Sequence, residues 1–355
     1  MNKRAILILW LLFLLSLSEA KIPIAAKRYP VRVGKETLKF PYESSHDLSM
    51  RNEMIESLIL SIHSSSYDAE MYFQNALAAM NKAGADSREY LIIAPHFLSG
   101  TVIQERISSR LPSDLLYWKV RPFWGSSQGF YNDGDVRISS FEVIDQILTE
   151  AVEGGNFPNL KTVVILGHSA GGQMVNRYAA GNQFEYAVAR PKGIRVRYLV
   201  MAPSSYAYFT PERFFIDPKL YYTVPDNPPD GYDNWGYGLK NLYSYHRRCG
   251  MTPESIKERY PSRIVMYLVG DRDRDPDDRS LSKTAASMLQ GKNRLHRGRI
   301  YFAYLEHVYG PDIKKTQRFV IVRGVGHSGR SLMTSDAGLD FIFGRRQGNP
   351  ARESL

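Results

Sequence analysis

The motif Gly167-His168-Ser169-Ala170-Gly171 is the most informative feature of this chain, and it singles out one serine. It follows an apolar run at residues 162–166 that is typical of a buried strand, and it precedes residues 172–180, which favour a helix. A strand that turns directly into a helix through Gly-x-Ser-x-Gly holds its serine at a strained apex, because the two glycines let neighbouring backbone pass without Cβ clashes. The pattern therefore predicts a serine hydroxyl that is backed by the free N–H groups of a helix N-terminus and suited to attack on a carbonyl carbon.

The same strand-then-helix rhythm extends along most of the chain. Short apolar runs rich in β-branched residues alternate with helical stretches, and runs without strict alternation fit strands buried on both faces. The predicted strands are 57–62, 90–94, 162–166, 196–201, 263–269 and 318–322, and the predicted helices are 69–83, 141–152, 172–180 and 283–289. This alternation predicts an α/β fold, a three-layer sandwich with a mostly parallel sheet.

Polar residues follow the predicted strands and mark a candidate site. Four of the eight histidines stand at such strand ends: His63, His96, His168 and His327. In open α/β sheets ligands bind outside the carboxyl ends of the strands. We therefore expect these side chains to gather around the serine.

A serine hydroxyl needs a base, and the base needs a carboxylate that orients it. His327 lies in a glycine-rich turn after the last predicted strand, so its imidazole can project. Asp273 is the preferred carboxylate, because a turn after Gly270 can carry the third following residue back over the strand end, and Asp271 is the rival. The alternating aspartates from residue 271 to 277 also resemble a calcium loop, but they lack the glycine at position six and the glutamate at position twelve.

With these residues in place, the chain resembles the α/β-hydrolase-fold serine hydrolases of the esterase and lipase kind, over roughly residues 39–343. The order nucleophile, acid, histidine matches that family as Ser169, Asp273 and His327. The resemblance implies a sheet of about eight strands, an acyl-enzyme route, and no metal or other cofactor.

The resemblance also implies an oxyanion hole. Its two donors would be the backbone N–H groups of Ala170 and of Ser65, the latter in the loop that begins at His63. Ser64 stands where the family usually has glycine, which is a departure in this loop. We expect His63 to be a structural residue of the loop and not a second base.

Residues 203–262 interrupt the alternation of predicted strands and helices. Thirteen of these sixty residues are aromatic, against 12% of the chain, so the segment predicts a cap insertion over the strand ends. We expect Tyr206, Trp235 and Tyr237 of the insertion to bind substrate, with Trp124 on a second wall. The alternative is a rigid structural excursion that packs on its own tyrosines.

The N-terminus has the pattern of a cleaved signal peptide. Lys3 and Arg4 are basic, residues 5–17 are almost unbroken apolar, and small residues precede a cut before Lys21. The pattern predicts a secreted or periplasmic protein in which residues 21–355 form one domain; an uncleaved membrane anchor is the alternative. Cys249 is the only cysteine of the 355 residues, so the sequence offers no intramolecular disulfide.

These observations predict an exported serine hydrolase that cleaves a small-molecule or lipid ester. An amidase or peptidase with the same triad, and a catalytically silent binding protein on this scaffold, are the alternatives. The formal net charge of +10 favours weak attraction to anionic membrane surfaces, although the basic residues are scattered. The sequence contains no nucleic-acid-binding motif, so we expect no nucleic-acid partner.

Overall fold

The computed structural model describes residues 23–106, 112–118, 122–124, 129–130, 138–216 and 218–344. The predicted signal peptide and its cut site before Lys21 lie outside these residues. In the described ranges no helix combines the length and apolar character needed to cross a membrane.

An eight-stranded sheet forms the centre of the fold. The strands of the described chain are β1 Lys27–Val33, β2 Glu36–Ser44, β3 Ser57–Ile62, β4 Tyr90–Pro95, β5 Tyr117–Trp118, β6 Gly129–Phe130, β7 Thr162–His168, β8 Arg195–Met201, β9 Arg213–Ile216, β10 Leu220–Thr223, β11 Ile264–Gly270 and β12 Gln317–Val322. The large sheet has the order β1-β2-β4-β3-β7-β8-β11-β12. Six of its strands run parallel to one another: β4, β3, β7, β8, β11 and β12. Strand β2 is antiparallel to both of its neighbours, β1 and β4. The predicted α/β class and mostly parallel sheet are thus confirmed.

Helices cover both faces of this sheet. Those described are α1 Ala69–Ala83, α2 Gly100–Arg106, α3 Ser140–Glu153, α4 Ala170–Gly181, α5 Ser244–Arg248, α6 Pro253–Arg259, α7 Ala285–Met288, α8 Arg294–Tyr309, α9 Gly329–Met333 and α10 Asp336–Phe343. Local sequence sets their ends. The Asp68 side chain caps the start of α1, and Gly84 ends it in the left-handed conformation.

Alternate residues of one strand enter two different cores, which explains the continuous apolar runs. In β7, Val163 and Ile165 belong to the larger core, whereas Val164 and Leu166 belong to the smaller core on the opposite face. All four side chains are fully buried. Burial on both faces removes the need for polar alternation, as expected for central parallel strands.

The hairpin β1–β2 and helix α8 are among the elements that the sequence does not predict. The hairpin β1–β2 adds the antiparallel edge, and α8 is the longest helix of the described chain. Helix α8 buries two arginines and two tyrosines together with Leu295, Ile300 and Leu305, whose spacing of five residues is not that of one helical face. The helix therefore has no aliphatic stripe at helical spacing, and that stripe is the signal on which a helix prediction depends.

The aromatic insertion between β8 and β11 packs against α8. Its Tyr206 ring stacks on Tyr301 with ring centres 4.2 Å apart, and its Tyr208 ring lies 4.4 Å from Tyr304. The hairpin β9–β10 and helices α5 and α6 belong to the same segment. The insertion therefore has an aromatic core that it shares with α8.

Candidate active site

Ser169 occupies a sharp turn between β7 and α4. Its backbone angles are φ +56° and ψ −116°, a conformation that L-residues rarely adopt and that marks stored strain. A Cβ atom on Gly171 would lie 2.5 Å from the carbonyl oxygen of Ile62, and one on Gly167 would lie 2.5 Å from Gly171. Both glycines of the motif are therefore required by close backbone packing, and they hold the elbow against β3.

His327 and Asp273 meet at the carboxyl edge of the sheet. The Nδ1–H group of His327 donates to Oδ2 of Asp273 at 2.7 Å. Asp273 follows β11 in a turn that its backbone N–H closes on the Gly270 carbonyl at 3.2 Å, as the sequence predicted. The rival carboxylate, Asp271, instead has a buried Oδ1 with no hydrogen-bond partner in the described chain.

A buried guanidinium fixes the other oxygen of this carboxylate. Nη1 of Arg294 lies 3.3 Å from Oδ1 of Asp273, and both side chains are almost completely buried. The Nη2 group of Arg294 contacts Asp278 at 3.3 Å and donates to Ser280 Oγ at 2.8 Å. Asp273 is thus held on one side by a cation and presents its second oxygen to the imidazole.

His168, the variable residue of the serine motif, lies against His327. Their ring centres are 4.3 Å apart, and Nδ1 of His168 is hydrogen-bonded to the Tyr72 hydroxyl at 2.9 Å. Burial, with smaller contributions from His327 and Arg294, holds the pKa of His168 well below its usual range. His168 therefore stays neutral and forms an uncharged wall beside His327.

The two expected oxyanion-hole residues lie in the loop after β3 and at the start of α4. Ser65 lines the pocket that contains Ser169, and Ala170 is the first residue of α4, where backbone N–H groups have no intrahelical acceptor. Ser64, at the usual glycine position, accepts from the Ser66 N–H through its own Oγ at 3.1 Å. The loop is thus closed by a serine side chain.

His63 is a structural residue of this loop. Its Nε2 accepts from the Phe97 N–H at 3.0 Å, which leaves Nδ1 to donate to the Ser64 carbonyl at 2.8 Å. Burial lowers the pKa of His63 to about 4. Both ring nitrogens are occupied in the neutral form, so His63 is unavailable as a base.

A pocket of about 630 Å³ joins these groups. Ligand sites in proteins commonly enclose 300–1,000 Å³, so this space suits a small molecule. The pocket is lined by Ser64, Ser65, Ser66, Met71, Tyr72, Asn75, His168, Ser169, Ser280, His327, Ser328, Gly329 and Arg330.

The predicted substrate-binding aromatics of the insertion lie in its packed interior. Tyr206, Trp235 and Tyr237 are buried and are not among the residues that line this pocket. The Trp235 ring lies 4.1 Å from the ring of His246, and the Tyr237 hydroxyl bonds the Thr284 hydroxyl at 2.8 Å. Their apolar surface is buried by packing within the insertion and against its neighbours. Trp124 ends a short turn, and its side chain lies outside the described residues.

Sequence reasoning missed the pocket residues contributed by α1 and α9. Asn75 is a polar residue among the buried positions of α1, and Arg330 follows His327 by three residues. The first could have been found as a break in an apolar helical face. The second could have been found from its nearness to the histidine.

No cluster of three or more potential metal ligands occurs within the described ranges. Two of the aspartates that resemble a calcium loop contact basic side chains. Asp273 contacts His327 and Arg294, whereas Asp277 lies 3.4 Å from the Lys283 ammonium.

Comparison with known proteins identifies the fold. No known family profile and no curated protein matches the sequence. The structure is similar to poly(aspartic acid) hydrolase-1 from Sphingomonas sp. KT-1, with a TM-score of 0.54 and 16% identity over 90% of this chain and 99% of that one. It is also similar to LpqC, a poly(3-hydroxybutyrate) depolymerase from Bordetella parapertussis, with a TM-score of 0.56 and 17% identity over 88% of this chain and 87% of that one. Together with the sheet order, these similarities show an α/β-hydrolase fold.

Proposed function

We propose that the protein is a serine hydrolase that cleaves a carboxylic ester through an acyl-enzyme intermediate. The observation that carries the proposal is the 2.7 Å hydrogen bond between His327 and Asp273 on the wall of the pocket that also contains Ser169. Ser169 is the nucleophile, His327 the base and Asp273 the carboxylate that orients it.

The reaction has two halves. Ser169 Oγ attacks the ester carbonyl carbon while Nε2 of His327 takes the hydroxyl proton, and the imidazolium then gives that proton to the departing alcohol. Water, deprotonated by the same histidine, attacks the acyl-enzyme, and the proton returns to Ser169 as the acid leaves. Asp273 stabilises the imidazolium in both halves, and the buried Arg294 keeps the carboxylate in place.

Charge that develops on the carbonyl oxygen requires donors. The N–H groups of Ala170 and Ser65 are the proposed pair, because one begins α4 beside Ser169 and the other lies on the pocket wall. Each such donor contributes about 3 kcal/mol to transition-state stabilisation in comparable enzymes.

An amide or peptide substrate would use the same groups. A catalytically silent binding protein needs no strained serine and no oriented imidazole, so the elbow and the His327–Asp273 pair favour catalysis.

Export to the periplasm or the medium is also part of the proposal. The basic, apolar and small-residue segments before Lys21 support it, and N-terminal sequencing of the mature protein would test it.

The direct test is covalent labelling. We expect a fluorophosphonate probe to modify the wild-type protein and to fail with Ser169→Ala, which should also lose on the order of 10⁶ in kcat toward p-nitrophenyl esters. Ser328→Ala is the matched control, because Ser328 lines the same pocket. We expect the probe to label this variant at Ser169 as it labels the wild-type protein. Labelling of Ser169→Ala, or a tenth of the wild-type rate in that variant, would remove Ser169 from the mechanism.

A further inference from the structure

The pocket beside Ser169 is made mainly of hydrogen-bonding side chains. Hydroxyl, amide, imidazole and guanidinium groups account for most of the lining residues defined above, and Met71 is their single aliphatic member. The same lining contains no aspartate or glutamate. A wall that offers hydrogen-bond donors and no carboxylate admits an anionic ligand without like-charge repulsion.

Asn75 is a largely buried residue on the wall of the pocket. It is 6% exposed and faces the pocket from α1, yet its side chain forms no hydrogen bond with any residue in the described part of the chain. Its amide group is therefore available to a polar substrate atom in the pocket.

Arg330 provides a positive charge at the same pocket. It lies in α9, which packs on α1, and the Lys82 ammonium ties the two helices through the Thr334 carbonyl at 2.8 Å. Within the described ranges, no carboxylate is within ion-pair distance of the Arg330 guanidinium. An arginine fork without an internal counter-ion matches the geometry of a ligand carboxylate.

We infer that the preferred substrate of this site is an ester that carries a carboxylate group, held by Arg330, with Asn75 donating a hydrogen bond to a neighbouring substrate oxygen. This inference rests on the proposed function and specifies its substrate class. Because Arg330 is exposed, the ion pair is screened by salt, so the preference decreases as ionic strength rises.

Matched pairs of esters test the inference on either side of the scissile bond. On the acyl side, mono-p-nitrophenyl adipate is compared with its methyl ester. On the alcohol side, 4-butyryloxybenzoate is compared with its methyl ester. We expect wild-type kcat/KM to favour the acid over the neutral partner by about tenfold in at least one pair, the order of a single charged hydrogen bond.

Variants then assign the preference to residues. Arg330→Gln should lower kcat/KM for the preferred acid by about tenfold and leave the neutral ester within about twofold, and Arg330→Lys should recover part of the loss. Arg323→Gln is the matched control, because Arg323 is an exposed arginine in the same loop region that is not among the pocket-lining residues. Asn75→Leu should weaken the acid more than the neutral ester.

Three outcomes separate the two proposals. An acid preference that Arg330→Gln removes and Arg323→Gln retains supports the inference. Equal or better hydrolysis of the neutral ester in both pairs, or a preference that survives Arg330→Gln, overturns it while hydrolase activity stands. Absence of both fluorophosphonate labelling and hydrolysis of every ester overturns the proposed function itself.

Discussion

The guanidinium of Arg294 and the carboxylate of Asp273 form a buried ion pair, 3.3 Å apart, on the side of the carboxylate that faces away from His327. Arg294 is the first residue of α8, and Asp273 lies in the turn after β11, so the pair joins the longest described helix to the sheet edge. One interaction thus links the stability of the domain to the orientation of the proposed catalytic histidine.

Replacement of this arginine should affect both properties. Arg294→Met removes one partner of a buried pair, a change that typically costs about 3–5 kcal/mol of unfolding free energy. Because Asp273 is then free to rotate, we also expect kcat to fall by up to about 10²-fold. Urea unfolding and ester hydrolysis measure the two effects. Asp278→Asn alters the more exposed partner of the same arginine and should cost less than about 1 kcal/mol; equal losses in the two variants would contradict the special role of Asp273.

The two aspartates after β11 should differ sharply. Asp273→Asn replaces the acceptor of the His327 Nδ1–H bond, and in a comparable triad this change lowers kcat by about 10⁴ because the imidazole is held in the wrong tautomer. Asp271→Asn should keep most of the activity, because the His327 Nδ1–H group bonds Asp273 and the buried Asp271 Oδ1 has no hydrogen-bond partner in the described chain. Steady-state kinetics of the two variants decides the matter, and reversed severities would transfer the role to Asp271.

Buried neutral histidines should make the protein sensitive to acid. His63 has a pKa of about 4 in the folded protein against about 6.5 in an unfolded chain, so the unfolded state binds more protons between these values. Its contribution to stability is fully present above about pH 6.5 and is lost as the pH falls toward 4. We expect this one group to remove about 2 kcal/mol between pH 7 and pH 5. Denaturant titrations at the two pH values should show a smaller change for His63→Gln; an unchanged pH dependence would show that another group is responsible.

Trp235 should support the fold and not the choice of substrate. Its side chain is 2% exposed and packs on His246, so Trp235→Ala leaves a cavity and should cost about 3–5 kcal/mol. The ratio of rates for short and long p-nitrophenyl esters should stay as in the wild type. Met71→Ala is the counterpart, because Met71 is 40% exposed on the pocket wall and should shift that ratio with little effect on stability. If only Trp235→Ala changed the ratio of the rates for short and long esters, the insertion would be assigned a role in substrate choice.

Elements with local signals can be predicted from the sequence. The serine elbow is encoded in five consecutive residues, and central strands such as β7 are encoded in runs of apolar residues buried on both faces. The order of Ser169, Asp273 and His327 along the chain was sufficient to suggest which residues meet, since the carboxyl ends of parallel strands share one edge.

Contacts between side chains that are distant in the sequence follow only from the tertiary structure. His327 and Asp273 are 54 residues apart, and the preference for Asp273 over Asp271 depends on a turn and on Arg294, which the sequence did not connect to either. The aromatic insertion was assigned to the pocket because tyrosine and tryptophan suit both substrate walls and protein cores. Their partners on α8 and α5 direct them into a core. Asn75 has a candidate role only because folding places its side chain on the pocket wall, and the lining of a pocket is a property of neighbours in space.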